Sequence, residues 1–128
     1  MGTLAPSNSL SGAAFQSVLV TARRLDGMTL PRVGLIKVDV EGHEEAVLRG
    51  AHGILERDRP NLMVEIEERH NAGSIQRVFQ QLALLGYRAF VLEGNHLSPI
   101  RADEAVPLQQ GGSGGRYVNN FFFLQQSP

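Results

Sequence analysis

The sequence of 128 residues contains no cysteine, so neither a disulfide framework nor a thiolate metal site is available to it. It also lacks an excess of either charge: the formal net charge is -1, and no basic stripe is interleaved with aromatic residues. Nucleic acid is therefore not an expected partner. No apolar run approaches the length of a membrane span, and no charged segment followed by an apolar one opens the sequence. These absences predict a cytoplasmic protein with no membrane partner.

What remains is the composition of an ordinary globular domain, with 42% hydrophobic residues. Residues 1–17 are small and polar without periodicity, which predicts a flexible N-terminal segment, and residues 18–128 are expected to form one folded domain. Residues 18–20 are interpreted as a short strand. Residues 98–115 contain two prolines and end in a glycine-rich run, so they are predicted to form a long loop.

The most informative stretch begins at residue 33. Residues 33–40 are mostly apolar and β-branched, which is typical of a strand buried in a parallel sheet. A helix is predicted to follow at once, because glutamates crowd its first turn and apolar residues recur at helical spacing. Ligands of open α/β sheets bind beyond the carboxyl ends of the strands. Asp39 and Glu41 therefore stand where a site is expected.

Periodicity predicts the remaining elements. Strands are expected near residues 34–40, 62–67, 87–92 and 117–124, and helices near residues 43–56 and 75–85. The first two strands should be parallel because a helix joins them, whereas the third and last strands should form an antiparallel pair at one edge. Glu65 is interpreted as a sheet-face residue.

Four blocks of the sequence resemble the FkbM-type methyltransferases. They are IKVDVEGHEEAVLRGA, PNLMVEIEERHN, LGYRAF and YVNNFFFL, and together they place the resemblance over residues 25–124. The resemblance implies the C-terminal half of a class I methyltransferase domain. Its fold would be a Rossmann-like α/β open sheet, mostly parallel with an antiparallel edge and with helices on its faces. The glycine-rich cofactor loop of the family is not found here, so residues 18–128 are expected to be a partial domain.

By this resemblance the protein transfers a methyl group from S-adenosylmethionine to a hydroxyl of a small molecule or sugar. Asp39, Glu67 and His70 are the candidate catalytic residues, and Glu41 and Gly42 are the candidate cofactor contacts. No dedicated metal site is expected, since the H-E-x-x-H signature is not met. The role of Asp39 stays open between orienting the acceptor, accepting its proton, ligating a metal ion and capping the turn.

Two other interpretations compete with an enzyme. Without the cofactor loop the isolated chain is expected to be inactive, and a truncated methyltransferase fold could serve as a non-catalytic interaction module. A weaker alternative is a signalling domain that uses Asp39 as a phosphoacceptor, but the acidic pair that would hold Mg²⁺ on an earlier strand is missing.

The edge of the strand at residues 33–40 suggests a further partner. In the resembled fold this strand has a neighbour on each side, so a partial domain would leave one edge unpaired. Either residues 18–20 fold back against it or a second copy of the chain pairs with it. The homodimer is favoured, because the N-terminal segment is short and rich in glycine and serine.

Overall fold

A computed structural model describes residues 14–111 and 116–126. Its strands are β1 (Leu35–Val38), β2 (Asn61–Glu65), β3 (Tyr87–Glu93), β4 (His96–Pro99) and β5 (Asn120–Gln125). Its α-helices are α1 (Glu44–Gly50), α2 (His52–Asp58), α3 (Ser74–Ala83) and α4 (Ala102–Ala105), and 3₁₀ turns span Leu25–Gly27 and Val106–Gln109. The five strands form one sheet in the order β1-β2-β5-β3-β4. The predicted α/β class is confirmed.

The prediction of a mostly parallel sheet is wrong. β1 and β2 are parallel as expected, but the pairs β2–β5, β5–β3 and β3–β4 are all antiparallel. The reason is that β5 inserts between β2 and β3 in the opposite direction. β4 then returns along β3 over the tight turn at Gly94 and Asn95, and so short a connection permits only an antiparallel pair. The predicted antiparallel pairing of the third and last strands is confirmed. Their predicted position at one edge is wrong, because β2 pairs with the other side of β5 and β4 with the other side of β3.

The hydrophobic core lies between the sheet and the helices. Alternate side chains of the central strands face it, including Leu62, Val64, Phe121 and Phe123, all at most 1% exposed. The ring of Phe79 on α3 meets both buried phenylalanine rings edge to face, with centroids 5.3 Å apart in each case. These contacts fix β5 in the middle of the sheet.

The helix predicted over residues 43–56 is two helices. α1 ends at Gly50, and α2 begins at His52 after Ala51 leaves the helical conformation. The carboxylate of Asp26 accepts hydrogen bonds from the backbone N–H groups of Gly53 (2.8 Å) and Ile54 (3.1 Å). It thereby satisfies two free N–H groups at the start of α2. These hydrogen bonds lower the pKa of Asp26, although burial opposes the shift.

Two connecting segments also differ from expectation. Residues 18–20 form no strand and are exposed, and residues 14–17 have no regular structure either.

The predicted loop at residues 98–115 contains the end of β4, α4 and a 3₁₀ turn, and Ala102 and Ala105 of α4 are buried. Residues 112–115 of that loop and residues 1–13 of the predicted flexible segment lie outside the described residues. No helix in the described ranges is both long and apolar enough to cross a membrane.

Candidate functional site

The carboxyl ends of β1 and β2 carry the same short pattern of residues. Val38-Asp39-Val40-Glu41 starts at the last residue of β1, and Val64-Glu65-Ile66-Glu67 starts at the last but one residue of β2. Val38 lies directly opposite Val64 in the parallel register. The next position on each strand therefore places Asp39 beside Glu65.

Glu65 and Asp39 form an adjacent carboxylate pair at this edge. Asp39 is exposed and Glu65 is half-buried. Burial raises the pKa of Glu65, and the neighbouring carboxylates of Asp39 and Glu67 raise it further, against a smaller opposing effect of Lys37. Glu65 therefore accepts a proton more readily than an isolated glutamate would.

Glu67 lies next to this pair but in a different environment. It is 5% exposed, and it accepts hydrogen bonds from the hydroxyl of Tyr117 and from Nδ2 of Asn119 at 2.8 Å. The same Asn119 amide approaches Oε1 of Glu65 at 3.3 Å, so one donor bridges both glutamates. Asp39, Glu65 and Glu67 are called the carboxylate row below.

The hydrogen bonds of Glu67 determine its charge state. Burial by itself would raise the pKa of Glu67, but the bonds from Tyr117 and Asn119 and the charge of Arg69 outweigh burial and lower it. The bond to Glu67 raises the pKa of Tyr117 in turn. Neighbouring carboxylates whose pKa values are shifted in opposite directions are a common basis of acid and base roles. Here Glu67 stays ionised, and Glu65 is the more easily protonated.

The turn that follows Asp39 is held in a strained conformation. Glu41 has a φ of 46° and Gly42 a φ of 102°. A side chain on Gly42 would also meet the backbone oxygen of His70 at 3.2 Å, so the turn requires glycine at this position. The buried carboxylate of Glu44 accepts the N–H of Gly42 at 2.7 Å.

Asn71 links this turn to the loop after β2. Its Nδ2 donates to the carbonyl oxygen of Gly42 (3.1 Å), and its Oδ1 accepts from Arg77 (2.9 Å). Arg77 also donates to Glu45 on α1 at 2.7 Å. The loops after β1 and β2 are therefore fastened to each other, which holds the carboxylate row in one geometry.

The predicted site residues are only partly brought together. Glu67 and His70 share one turn, in which the N–H of His70 donates to the carbonyl of Glu67 at 3.1 Å, while the His70 side chain is exposed. Glu65, not Glu67, is the direct neighbour of Asp39. Gly42 has both its backbone N–H and its C=O engaged within the protein, whereas Glu41 is exposed.

A metal-ligand role for Asp39 finds no support in the described part of the chain. Among residues 14–111 and 116–126, no three His, Cys, Asp or Glu side chains are grouped closely enough to hold a metal ion.

Two cavities flank the site. One of about 550 Å³ lies between the chain at residues 22–25 and α1, where Val40 and His43 contribute to its largely apolar wall. The other, about 260 Å³, is a groove on the sheet face opposite the helices, lined by Met63 and Phe122 and ending at Tyr117. Tyr117 and Asn119 line this groove and both hydrogen-bond to Glu67, so the groove borders the carboxylate row.

Sequence reasoning missed Glu65, Tyr117 and Asn119 as members of this site. The repeated pattern of valine, acidic residue, β-branched residue and glutamate at both strand ends was the available signal for Glu65. Tyr117 and Asn119 had no comparable signal, since they follow Glu67 by 50 and 52 residues and meet it only in the folded sheet.

The two opposed pKa shifts can be measured separately. We expect Tyr117→Phe to raise the pKa of Glu67, because a hydrogen bond to its ionised form is removed. Asp39→Asn should lower the pKa of Glu65 only in part, because burial, the largest cause, remains. Carboxyl carbon NMR across a pH titration reads both values. Asp103→Asn, at an exposed position of α4, is the matched control. If Asp39→Asn leaves the pKa of Glu65 unchanged, the pairing of the two carboxylates is contradicted.

Comparison with known proteins gives one match. The family model described as the methyltransferase FkbM domain matches residues 2–89, which is more than half of the chain. The matched range contains β1, β2 and the loops that carry the carboxylate row, while Tyr117 and Asn119 lie beyond it. No curated protein and no solved structure matches the chain.

Proposed function

The chain belongs to the FkbM methyltransferase family, and we propose that it forms the acceptor side of a methyltransferase that uses S-adenosylmethionine. The proposed acceptor is a hydroxyl group of a small molecule or sugar. The observation that carries the proposal is the carboxylate row, which lies at the ends of two adjacent parallel strands, where α/β sheets place their chemistry.

In the proposed reaction the cofactor supplies an activated methyl group. When bound, the cofactor would supply this methyl group to the acceptor oxygen, and the carboxylate pair would receive the hydroxyl proton. In this proposal the exposed carboxylate of Asp39 receives the proton, and Glu65 beside it, whose pKa is raised, can take the proton over in turn. A positioned base of this kind contributes about 10²–10⁴-fold to a rate.

Glu67 has a positioning role in this proposal. Because Tyr117 and Asn119 keep it ionised and immobile, it fixes the Asn119 amide that also reaches Glu65. The exposed imidazole of His70, at the rim of the same turn, is a second group that could exchange protons with solvent near neutral pH. The catalytic roles of Asp39, Glu67 and His70 stay predictions.

Of the two candidate cofactor contacts, Glu41 and Gly42, only Glu41 has polar groups that are free to bind. Glu41 offers an exposed carboxylate that suits hydroxyl or ammonium groups, but the polar backbone groups of Gly42 are already used by Glu44 and Asn71. Gly42 therefore shapes the turn, and Glu41 is the one free contact of the two. The proposal also includes a Rossmann-like arrangement of the sheet, which family membership and the parallel β1–β2 pair support. The cytoplasmic location stays a prediction.

A direct consequence is weak cofactor binding by this chain. We expect isothermal titration of the 128 residues with S-adenosylmethionine to show no saturation in the micromolar range, because only Glu41 of the two candidate contacts has its polar groups free in the described residues. A Kd near 1 μM corresponds to about −8 kcal/mol, which one contact does not supply. Glu41→Gln is the matched variant. Micromolar binding that Glu41→Gln leaves unchanged would contradict this assignment of the cofactor contact.

A further inference from the structure

The outer edge of β1 is exposed in the described residues. β1 is the first strand of the sheet, and within residues 14–111 and 116–126 no strand pairs with its free side. The strand at residues 18–20 that could have covered this edge is not formed. Leu35 remains 65% exposed. Both unpaired backbone groups and apolar surface are left at this edge.

The direction of the backbone groups along β1 follows from its pairing with β2. The N–H of Asn61 donates to the carbonyl oxygen of Gly34. The even-numbered residues of β1 therefore direct their backbone N–H and C=O groups toward β2. By the alternation of a strand, Leu35 and Lys37 point their N–H and C=O groups outward. Asp39 is the next position in this alternation and lies one residue past the end of β1 at Val38. These are the groups that a further strand would meet.

We propose that two copies of this chain pair through β1 in antiparallel fashion, across a two-fold axis at Val38. In this register the outward groups of Lys37 meet those of Asp39 in the second copy, and the reverse contact forms by symmetry. Ile36 lies opposite Val40 of the second copy on the helix-facing side. The two sheets become one, and two open edges disappear.

Charge complementarity selects this register over its neighbours. A lysine on an exposed edge normally discourages pairing with another strand. With the axis at Lys37, the two lysines would lie opposite each other and repel, whereas with the axis at Val38 each lysine lies opposite an aspartate. The same contact brings a lysine of the second copy next to Asp39, so the partner completes the surroundings of the carboxylate row.

Sedimentation velocity over a dilution series of the wild-type chain, from about 1 mM to about 1 μM, tests the association. We expect a concentration-dependent shift from monomer to dimer. A strictly monomeric protein at the highest concentration overturns the proposal. This measurement requires no cofactor or acceptor, so its outcome is independent of the proposed methyl transfer.

A charge exchange tests the register. Lys37→Asp and Asp39→Lys should each weaken self-association about tenfold or more, because each places two like-charged pairs across the axis. An equimolar mixture of the two variants should recover the dimer, since both cross pairs become opposite in charge. Undiminished self-association of either variant, or a mixture of folded variants that stays monomeric, overturns the register.

A third variant, Lys37→Pro, tests the use of this edge independently of whether the charge variants fold. Lys37→Pro removes an outward N–H and leaves the bonds to β2 intact, so it should abolish the dimer while circular dichroism stays native. Arg88→Asp, at an exposed position on β3 far from this edge, is the matched control and should dimerise like the wild type. A folded Lys37→Pro variant that still dimerises overturns the use of this edge.

Discussion

Methyl transfer should fall about 10²–10⁴-fold when Asp39 is replaced by asparagine, because a positioned proton acceptor is lost while the shape of the side chain is kept. The assay uses a family methyltransferase of known acceptor in which residues 25–124 of this chain replace the matching segment. Asp39 is exposed, so the melting temperature should change little. Radiolabelled methyl transfer and thermal unfolding, measured on the same preparation, separate the two effects.

The control for this substitution is Asp103→Asn, an exposed carboxylate on α4 that contacts Arg101 and lies outside the carboxylate row. It should leave turnover unchanged. If Asp39→Asn instead lowers the melting temperature and retains turnover, Asp39 caps the turn and is not the base. A folded chimera that binds cofactor but transfers nothing, even with Asp39 intact, would favour the non-catalytic interaction module.

The largest expected effect on stability is at the centre of the sheet. Phe121→Ala should lower the free energy of unfolding by about 3–5 kcal/mol, because it leaves a cavity in a fully buried site and removes an edge-to-face contact with Phe79. Domains of this size are stable by only about 5–15 kcal/mol, so the variant should approach the unfolding threshold.

Phe122→Ala is the control, because the neighbouring phenylalanine points to the other face of the sheet and is only half-buried. Its loss should be clearly smaller in urea denaturation followed by circular dichroism. Equal losses for the two variants would mean that β5 does not alternate as described. Phe121→Leu gives an intermediate case that remains measurable if the alanine variant does not fold.

The two similar patterns at the ends of β1 and β2, Val38-Asp39-Val40-Glu41 and Val64-Glu65-Ile66-Glu67, show how much of the structure the local sequence predicts. The strands predicted near residues 34–40 and 62–67 are found, at the shorter ranges Leu35–Val38 and Asn61–Glu65, since β-branched alternation is a local property. The position of Asp39 beyond a strand end followed from the same pattern. Its neighbour Glu65 was assigned to the sheet face alone, because identifying the pair requires the register of two strands 26 positions apart, Val38 against Val64.

The break between α1 and α2 illustrates a different limit. The apolar spacing through Val47, Ile54 and Leu55 is compatible with one continuous helix, and it predicted one. The chain breaks at Ala51 because Asp26, 27 residues before Gly53, caps a new helix start. A cap supplied from elsewhere in the chain leaves no trace in the helical period.

The sequence by itself determined the α/β class, the family, most of the strands and helices, and the presence of acidic residues after β1 and β2. These follow from periodicity and from short motifs, whose physical basis lies within a few residues. Only the tertiary structure decided that β5 lies between β2 and β3, that Asp39 lies beside Glu65, and that Tyr117 and Asn119 hydrogen-bond to Glu67 and lower its pKa. Each of these depends on contacts between distant segments. Such contacts form because the assembled core buries apolar surface, and no local pattern specifies which segments will meet.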